Sequence, residues 1–407
     1  MPEAVVVAAA RTPIGRAGKG SLVDVRPDDL AAGVIRAALD QVAALDPAEL
    51  DDIYLGCAEP RDEQGGNLAR RVGVLLGLDG VPAATVNRFC ASSVQTARMA
   101  LHAIKAGEGH AFVSAGVESV SRYRSFGSAG VDRPESHHPA FADAEQRTAA
   151  YAAGNEIWHD PRTDGLLPDI YIAMGQTAEN VATLRGISRA EQDEFGVRSQ
   201  NRAEQAIAAG FFAAEIAPVT RPDGVVITAD DGPRPGTTLE AVATLKPAFR
   251  ADGTVTAGNC CPLNDGAAAV VIMSDRRAAE LGLTPLARIV ATGVSALSPE
   301  IMGLGPVEAS RRALAQARLT MADVDLVEIN EAFAVQVIAS ARDLKIDEDR
   351  LNVHGGAIAL GHPFGSTGAR IMTTLINAMR VRDVSLGLET MCVGGGQGMA
   401  VVLERLT

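Results

Sequence analysis

Aromatic side chains make up only 4% of the 407 residues, with a single tryptophan. That scarcity argues against an aromatic-lined groove and for tight backbone packing, to which the 41 glycines also point. Positive charge is in deficit. The chain has 37 Lys and Arg against 50 Asp and Glu, a net charge of −13. It lacks the electrostatic footprint of a general nucleic-acid or anionic-membrane binder, although a few local cations would suffice for a small anionic ligand. No apolar run approaches the ~18 residues of a membrane span. The start, Met1-Pro2-Glu3, is not basic, and the apolar residues 4–10 are too few for a secretion signal. They read instead as a buried strand, and the expected compartment is the cytoplasm. Cysteine is sparse and odd in number: Cys57, Cys90, Cys260, Cys261 and Cys392. A long chain with such a set is not a disulfide scaffold. With no C-x-x-C pair and no finger-like histidine spacing, no metal is expected.

What is present is an ordinary globular composition, 47% apolar and 21% charged. The length suggests about two to three domains. Strand-like segments at 4–10, 51–55, 83–87 and 111–115 alternate with helical periodicity at 28–42 and 94–104, the rhythm of an α/β layer structure. The programme recurs at 306–317 (helix) and 325–329 (strand). Leu45 to Ile53 and Leu319 to Val327 share a helix end, an acidic turn and a strand, at an offset of 274 residues (53 to 327). Two related α/β halves are therefore expected, with a site at their seam. Between them, residues from about 122 to 247 lose this rhythm, and helical pattern returns only at 177–184 and 189–209. The expected division is 1–122 with 247–274 as the first half, 123–246 as an inserted loop domain for substrate, and 275–407 as the second half.

Four segments carry candidate chemistry. Cys90 stands between a strand and a helix, where the positive end of the helix favours a thiolate; the plain alternative is a buried structural cysteine. His362 sits in Gly355-Gly356-Ala357-Ile358-Ala359-Leu360-Gly361-His362-Pro363, a constrained loop at a helix entrance, although a histidine in such a place can be purely structural. Cys392-Val393-Gly394-Gly395-Gly396-Gln397-Gly398 is followed by too few residues for a dinucleotide-binding βαβ unit. It reads as a turn between strands with amides free to face a ligand. Asn330, in Glu328-Ile329-Asn330-Glu331-Ala332-Phe333, could cap a helix or hold a water. Gly15-Arg16-Ala17-Gly18-Lys19 lacks the spacing of a phosphate loop.

Together these segments resemble the thiolase family. Val86-Asn87-Arg88-Phe89-Cys90-Ala91-Ser92-Ser93 is similar to its nucleophile segment. The histidine, asparagine and C-terminal cysteine motifs resemble the three stretches above, and Arg11-Thr12-Pro13-Ile14-Gly15 and Leu263-Asn264-Asp265-Gly266-Ala267-Ala268 resemble further signatures. The resemblance spans nearly the whole chain. It implies two pseudo-symmetric α/β halves in an αβαβα stack, with an inserted loop domain. It also implies that Cys90 attacks a 3-ketoacyl-CoA with His362 as base, leaving an acyl-cysteine and an acetyl-CoA enolate. Cys392 would protonate the enolate, and free CoA would take the acyl group. One oxyanion would rest on His362 and a water held by Asn330, the other on the amides of Cys90 and Gly394.

Met174, Arg234 and Phe333 match positions that family members use near CoA. Cys261 stands where many have a serine near the pantetheine. Cys57, Cys260 and Cys261 are expected to be non-catalytic. CoA enters as a substrate, and no permanently bound cofactor is implied. Ala173 in place of a histidine, and the stretch Gly56-Cys57-Ala58-Glu59-Pro60, favour a degradative 3-ketoacyl-CoA thiolase over a biosynthetic enzyme making acetoacetyl-CoA. A cysteine-dependent acyl-CoA hydrolase is the more distant alternative, since it would leave the second cysteine without a role. A silent acyl-CoA-binding member of the fold is argued against by the presence of all four catalytic side chains. The family's usual assembly implies a homodimer or homotetramer.

Overall fold

The computed structural model describes residues 2–122, 137–154 and 157–407. The strands are β1 (Ala4–Arg11), β2 (Gly15–Arg16), β3 (Asp52–Gly56), β4 (Ala83–Val86), β5 (Ala111–Ser119), β6 (Val219–Thr220), β7 (Val226–Ile227), β8 (Asn264–Ser274), β9 (Ala287–Ala296), β10 (Leu326–Ile329), β11 (Leu386–Val393) and β12 (Gln397–Arg405). The helices are α1 (Pro27–Leu39), α2 (Leu68–Leu75), α3 (Ser92–Ala106), α4 (Ala142–Gly154), α5 (Met174–Arg185), α6 (Arg189–Ala208), α7 (Leu239–Ala243), α8 (Asp275–Glu280), α9 (Gly305–Ala317), α10 (Ala334–Leu344), α11 (Ala357–Leu360) and α12 (Thr367–Arg382).

The strands hydrogen-bond in the order β10-β11-β12-β9-β1-β8-β5-β3-β4, with β2 beside β8. The internal repeat is explicit in this order. In the first half β3 runs parallel to β5, which is antiparallel to β8, which is antiparallel to β1. In the second, β10, β11, β12 and β9 repeat the same sequence of pairings. The halves meet where β1 pairs with β9 through Val5 and Val6 only.

Side-chain alternation along the strands builds the layers. Val270 and Ile272 of β8 face inward with Met399, Val401 and Leu403 of β12, and α3 and α12 fill the space between the half-sheets. Val271 and Met273 face outward beneath α1 and α2. Ala400 and Val402 do so beneath α9 and α10. Both faces of each half-sheet are thus covered, which is why β8 reads as an unbroken small-apolar run. The result is an αβαβα stack of two pseudo-symmetric halves.

The described residues between β5 and β8 add α4 to α7 and the separate strand pair β6–β7, and contribute no strand to the large sheet. Here the sequence reading falls short. Helix α4 carries Asp, Glu, Gln and Arg among alanines, so it shows no apolar stripe, and α5 begins three residues before the pattern that marks it. A buried ion network ties the excursion to β1. The Arg11 guanidinium reaches Asp230 at 2.8 and 2.9 Å and Glu215 at 2.9 Å. Among the described residues, no helix is long and apolar enough to cross a membrane.

Candidate active site

The nucleophile turn is strained where it presents sulfur. Phe89 adopts a left-handed backbone, φ 44°, an uncommon conformation for a bulky residue. Its N–H donates to Asn87 Oδ1 at 2.8 Å. Ser92 Oγ closes the turn, donating to the Phe89 carbonyl at 2.6 Å and accepting from the Arg88 amide at 2.9 Å. Helix α3 starts at Ser92, two residues after Cys90, so the thiol stands between strand and helix as the sequence implies.

The expectation of a thiolate at Cys90 needs correction. The Cys90 residue keeps some exposure, but its thiol is enclosed, and burial pushes its pKa up to about 12. The nearby Gly394 amide opposes this, while Glu118 and Glu59 add to it. Loss of solvent therefore outweighs the helix terminus, and the resting thiol holds its proton.

His362 is buried and fixed on three sides. Its backbone N–H donates to Asn264 Oδ1 at 2.9 Å. Its Nδ1 lies 2.7 Å from Thr367 Oγ1, and that hydroxyl donates to the Pro363 carbonyl at 3.0 Å. The Thr367 proton is thus committed, so Nδ1–H is the donor and Nε2 keeps its lone pair. Asn330 Nδ2 donates to Nε2 at 3.2 Å. Burial, with Arg370 nearby, lowers the imidazole pKa to about 3. His362 is a neutral group with its basic nitrogen set.

Asn330 follows Ile329, the last residue of β10, and is itself held. Its carbonyl accepts from Gln336 Nε2 at 2.6 Å, and its amide donates to the Thr390 carbonyl at 3.0 Å. It does not cap α10, which begins at Ala334. Cys392 ends β11 opposite Gly398 and is buried. Cys90 and Cys261 both lie within its electrostatic reach, and its thiol too is pushed up by burial. Gly394–Gly396 make the turn between β11 and β12. Gly395 and Gly396 have φ of 74° and 76°, and a Cβ on Gly396 would stand 2.4 Å from the Leu297 carbonyl. Gly395 and Gly396 are thus geometric requirements of the turn.

The turn at Phe364 packs against the Cys90 turn. This approach is close enough that a Cβ on Gly116 would sit 2.1 Å from the Gly365 carbonyl. Glu118, fully buried, clamps the two halves here. It accepts from the amides of Ala58 and Gly365 at 2.8 Å each, and from Gln64 Nε2 at 2.7 Å. Glu118 and Thr367 were not singled out in the sequence. Thr367 lies five residues beyond His362 in the same motif, and that spacing was the available signal.

Cys90 opens into a cavity of about 130 Å³, lined also by Glu59, Phe89, residues 170–174, Phe364 and Gly394. Met174, at the first turn of α5, is part of this wall. Phe333 is buried against Phe249, with ring centroids 6.1 Å apart, in a cluster with Met174 and Cys392. Cys261 is no remote bystander: Cys90 and Cys392 both bear on its thiol. Arg234 is exposed and stands apart, its amide held by Gln200 at 2.9 Å. Neither Arg234, Cys261 nor Phe333 lines the cavity. Among the described residues no cluster of His, Cys, Asp or Glu could hold a metal.

The arrangement can perform nucleophilic acyl chemistry. Cys90 and Gly394 line the cavity, Cys392 lies close enough for the two thiols to act on each other, and the neutral His362 imidazole packs on Phe364 of its wall; His362, Asn330 and Cys392 are not themselves lining residues. The family model described as "Thiolase, N-terminal domain" matches residues 4–276, and "Thiolase, C-terminal domain" matches residues 283–405. A 3-ketoacyl-CoA thiolase of Bacillus subtilis is 44% identical, over 99% of this chain and all of that protein. The crystal structure of a Bacillus anthracis acetyl-CoA acetyltransferase superposes with a TM-score of 0.87 at 39% identity, covering 100% of this chain and 99% of that one. Human mitochondrial 3-ketoacyl-CoA thiolase in complex with CoA gives 0.86 at 38%, covering 99% and 98%. Matched from Ala4 to Arg405 by both halves of the family, the chain belongs to the thiolases.

Proposed function

We propose that the protein transfers an acyl group to CoA by thiolytic cleavage of a 3-ketoacyl-CoA, through an acyl-Cys90 intermediate. The observation that carries this reading is a cavity walled by Cys90 and Gly394, with Cys392 close enough for the two thiols to act on each other, and a neutral, Asn330-bound His362 packed on the cavity-lining Phe364. Cys90 Sγ adds to the 3-keto carbon as His362 Nε2 takes its proton. The carbon–carbon bond breaks, and the electron pair passes to the enolate of acetyl-CoA. Cys392 protonates that enolate. The Cys392 thiolate takes the proton of the CoA thiol as that sulfur attacks acyl-Cys90, and the His362 imidazolium returns its proton to Cys90 as the shortened acyl-CoA leaves. His362, as imidazolium, and a water on Asn330 face the enolate oxygen. The amides of Cys90 and Gly394 face the acyl-cysteine oxygen. Met174, Phe333, Cys261 and Arg234 serve CoA and the acyl chain, with residues 123–246 forming the substrate-binding insertion between halves 1–122 with 247–274 and 275–407. No resident cofactor is needed for these steps.

The relatives named 3-ketoacyl-CoA thiolase support that substrate class; the role proposed is degradative, in fatty-acid β-oxidation, on chains beyond acetoacetyl, in the cytoplasm. A homodimer or homotetramer is supported by β4, which ends the sheet with one edge open and side chains only half-buried. The deciding experiment measures kcat/KM for 3-ketoacyl-CoAs from four to sixteen carbons, with CoA as acceptor, beside mass spectrometry of the acyl-enzyme. Cleavage across this series, with acylation lost in Cys90→Ala, is expected. Turnover of the four-carbon substrate alone refutes the degradative reading. Release of CoA from an acyl-CoA without a thiol acceptor favours a hydrolase.

A further inference from the structure

Glu59 is an ionisable group in the reaction cavity that none of the steps above employs. It follows Ala58 in the turn after β3 and lines the space into which Cys90 opens. Its side chain is only 13% exposed. The turn holds it rigidly. Its amide donates to Glu118 Oε1 at 3.2 Å, and its carbonyl accepts from Gln64 Nε2 at 2.9 Å and from the Arg61 amide at 2.7 Å. Arg61 Nε lies 3.7 Å from the Glu59 carboxylate, within ion-pair range but too far for a hydrogen bond. The cavity walls around it are otherwise mostly apolar, with Phe89, Ile170, Ile172, Met174 and Phe364 contributing.

An acyl group bonded to Cys90 Sγ must occupy space contiguous with that sulfur. The cavity is such a space, and Arg234, Cys261 and Phe333 are not among its walls. Glu59 lies close enough for its charge to act on the thiol. A second carboxylate carried a few carbons beyond the reacting centre would be stripped of water among apolar walls beside Glu59. Two like charges in such a place disfavour each other strongly.

We propose that Glu59 is a specificity-determining residue that excludes 3-ketoacyl chains ending in a carboxylate and reserves the cavity for uncharged chains. This rests on the thiolase reading above. The groups facing Glu59 are Arg61 on its own turn, Glu118 from β5, Cys90 from the turn before α3, and His137 across the cavity. Burial raises the Glu59 pKa to about 7, so the filter strengthens as pH rises through neutrality, while a substrate carboxylate stays ionised throughout.

The test pairs 3-oxohexanoyl-CoA with its six-carbon counterpart bearing a terminal carboxylate, 3-oxoadipyl-CoA, from pH 6 to 8. In the wild-type protein the ratio of kcat/KM, neutral over carboxylated, is expected to be about 10 at pH 8 and to fall to near unity by pH 6, as Glu59 takes up its proton. In Glu59→Gln it should drop to within about threefold of unity and lose its pH dependence. A wild-type ratio near unity at pH 8, or one that is flat with pH, overturns the proposal, and this arm needs no variant to fold. So does a ratio unchanged by Glu59→Gln. Failure to cleave either substrate overturns the thiolase reading itself, whereas cleavage of both with equal efficiency at pH 8 overturns the filter alone.

Discussion

If burial governs Cys90, its reactivity in the free protein should follow that of a protonated thiol across the whole physiological range. With a pKa of about 12, the thiolate fraction at pH 7 is ~10⁻⁵, against ~10⁻² for a cysteine at its ordinary value. The neighbouring acceptor does not rescue it. Burial pushes the thiol up and the imidazole down, so both partners favour the neutral pair before any substrate binds. The proton is therefore expected to move as the carbon–sulfur bond forms. The assay is alkylation of Cys90 by iodoacetamide, followed by mass spectrometry of the peptide at fixed intervals between pH 5 and 9. The rate should rise about tenfold per pH unit with no plateau, because each unit multiplies the small thiolate fraction by ten. A plateau at or below pH 7 would refute the reasoning, since it would mean a thiolate already present. His362→Asn should leave the slope unchanged, because an imidazole that stays neutral cannot set it.

Other outcomes follow from the same contacts. Asn330→Ala removes the donor 3.2 Å from His362 Nε2 and should lower kcat by ~10²–10³ with KM within about threefold; an unchanged kcat would remove Asn330 from the transition state. Arg11→Met strands the buried carboxylates of Asp230 and Glu215 and should cost ~3–5 kcal/mol in urea unfolding. A loss below ~1 kcal/mol would mean the network is not a structural tie between β1 and the inserted segment.

Much of the fold was legible because its cause is local. The outer strands and helices carry their layer assignment in their own periodicity, and the two halves repeat closely enough to be aligned by eye. The residues of the site were legible for a related reason: Cys90 and Asn330 lie at strand–helix turns, Cys392 at a strand–strand turn and His362 in the turn between α11 and α12, and such turns demand recognisable glycines and small residues. Less was visible in the segment between β5 and β8. Helix α4 there has no apolar stripe, so its fold depends on what it packs against.

The sequence by itself determined the α/β repeat, the chemical types at the site and the short turns that present them, because each follows from neighbouring residues. Only the tertiary structure decided their protonation. Cys90 lies beside a helix start, which locally favours a thiolate, yet enclosure by distant segments prevails and keeps the thiol neutral. The tautomer of His362 likewise depends on Thr367 and Asn330 arriving from two different elements. Glu59 enters the reaction cavity only because Glu118, 59 residues away, fixes its turn against the second half. Desolvation is a property of assembled surroundings, and no local pattern of residues encodes it.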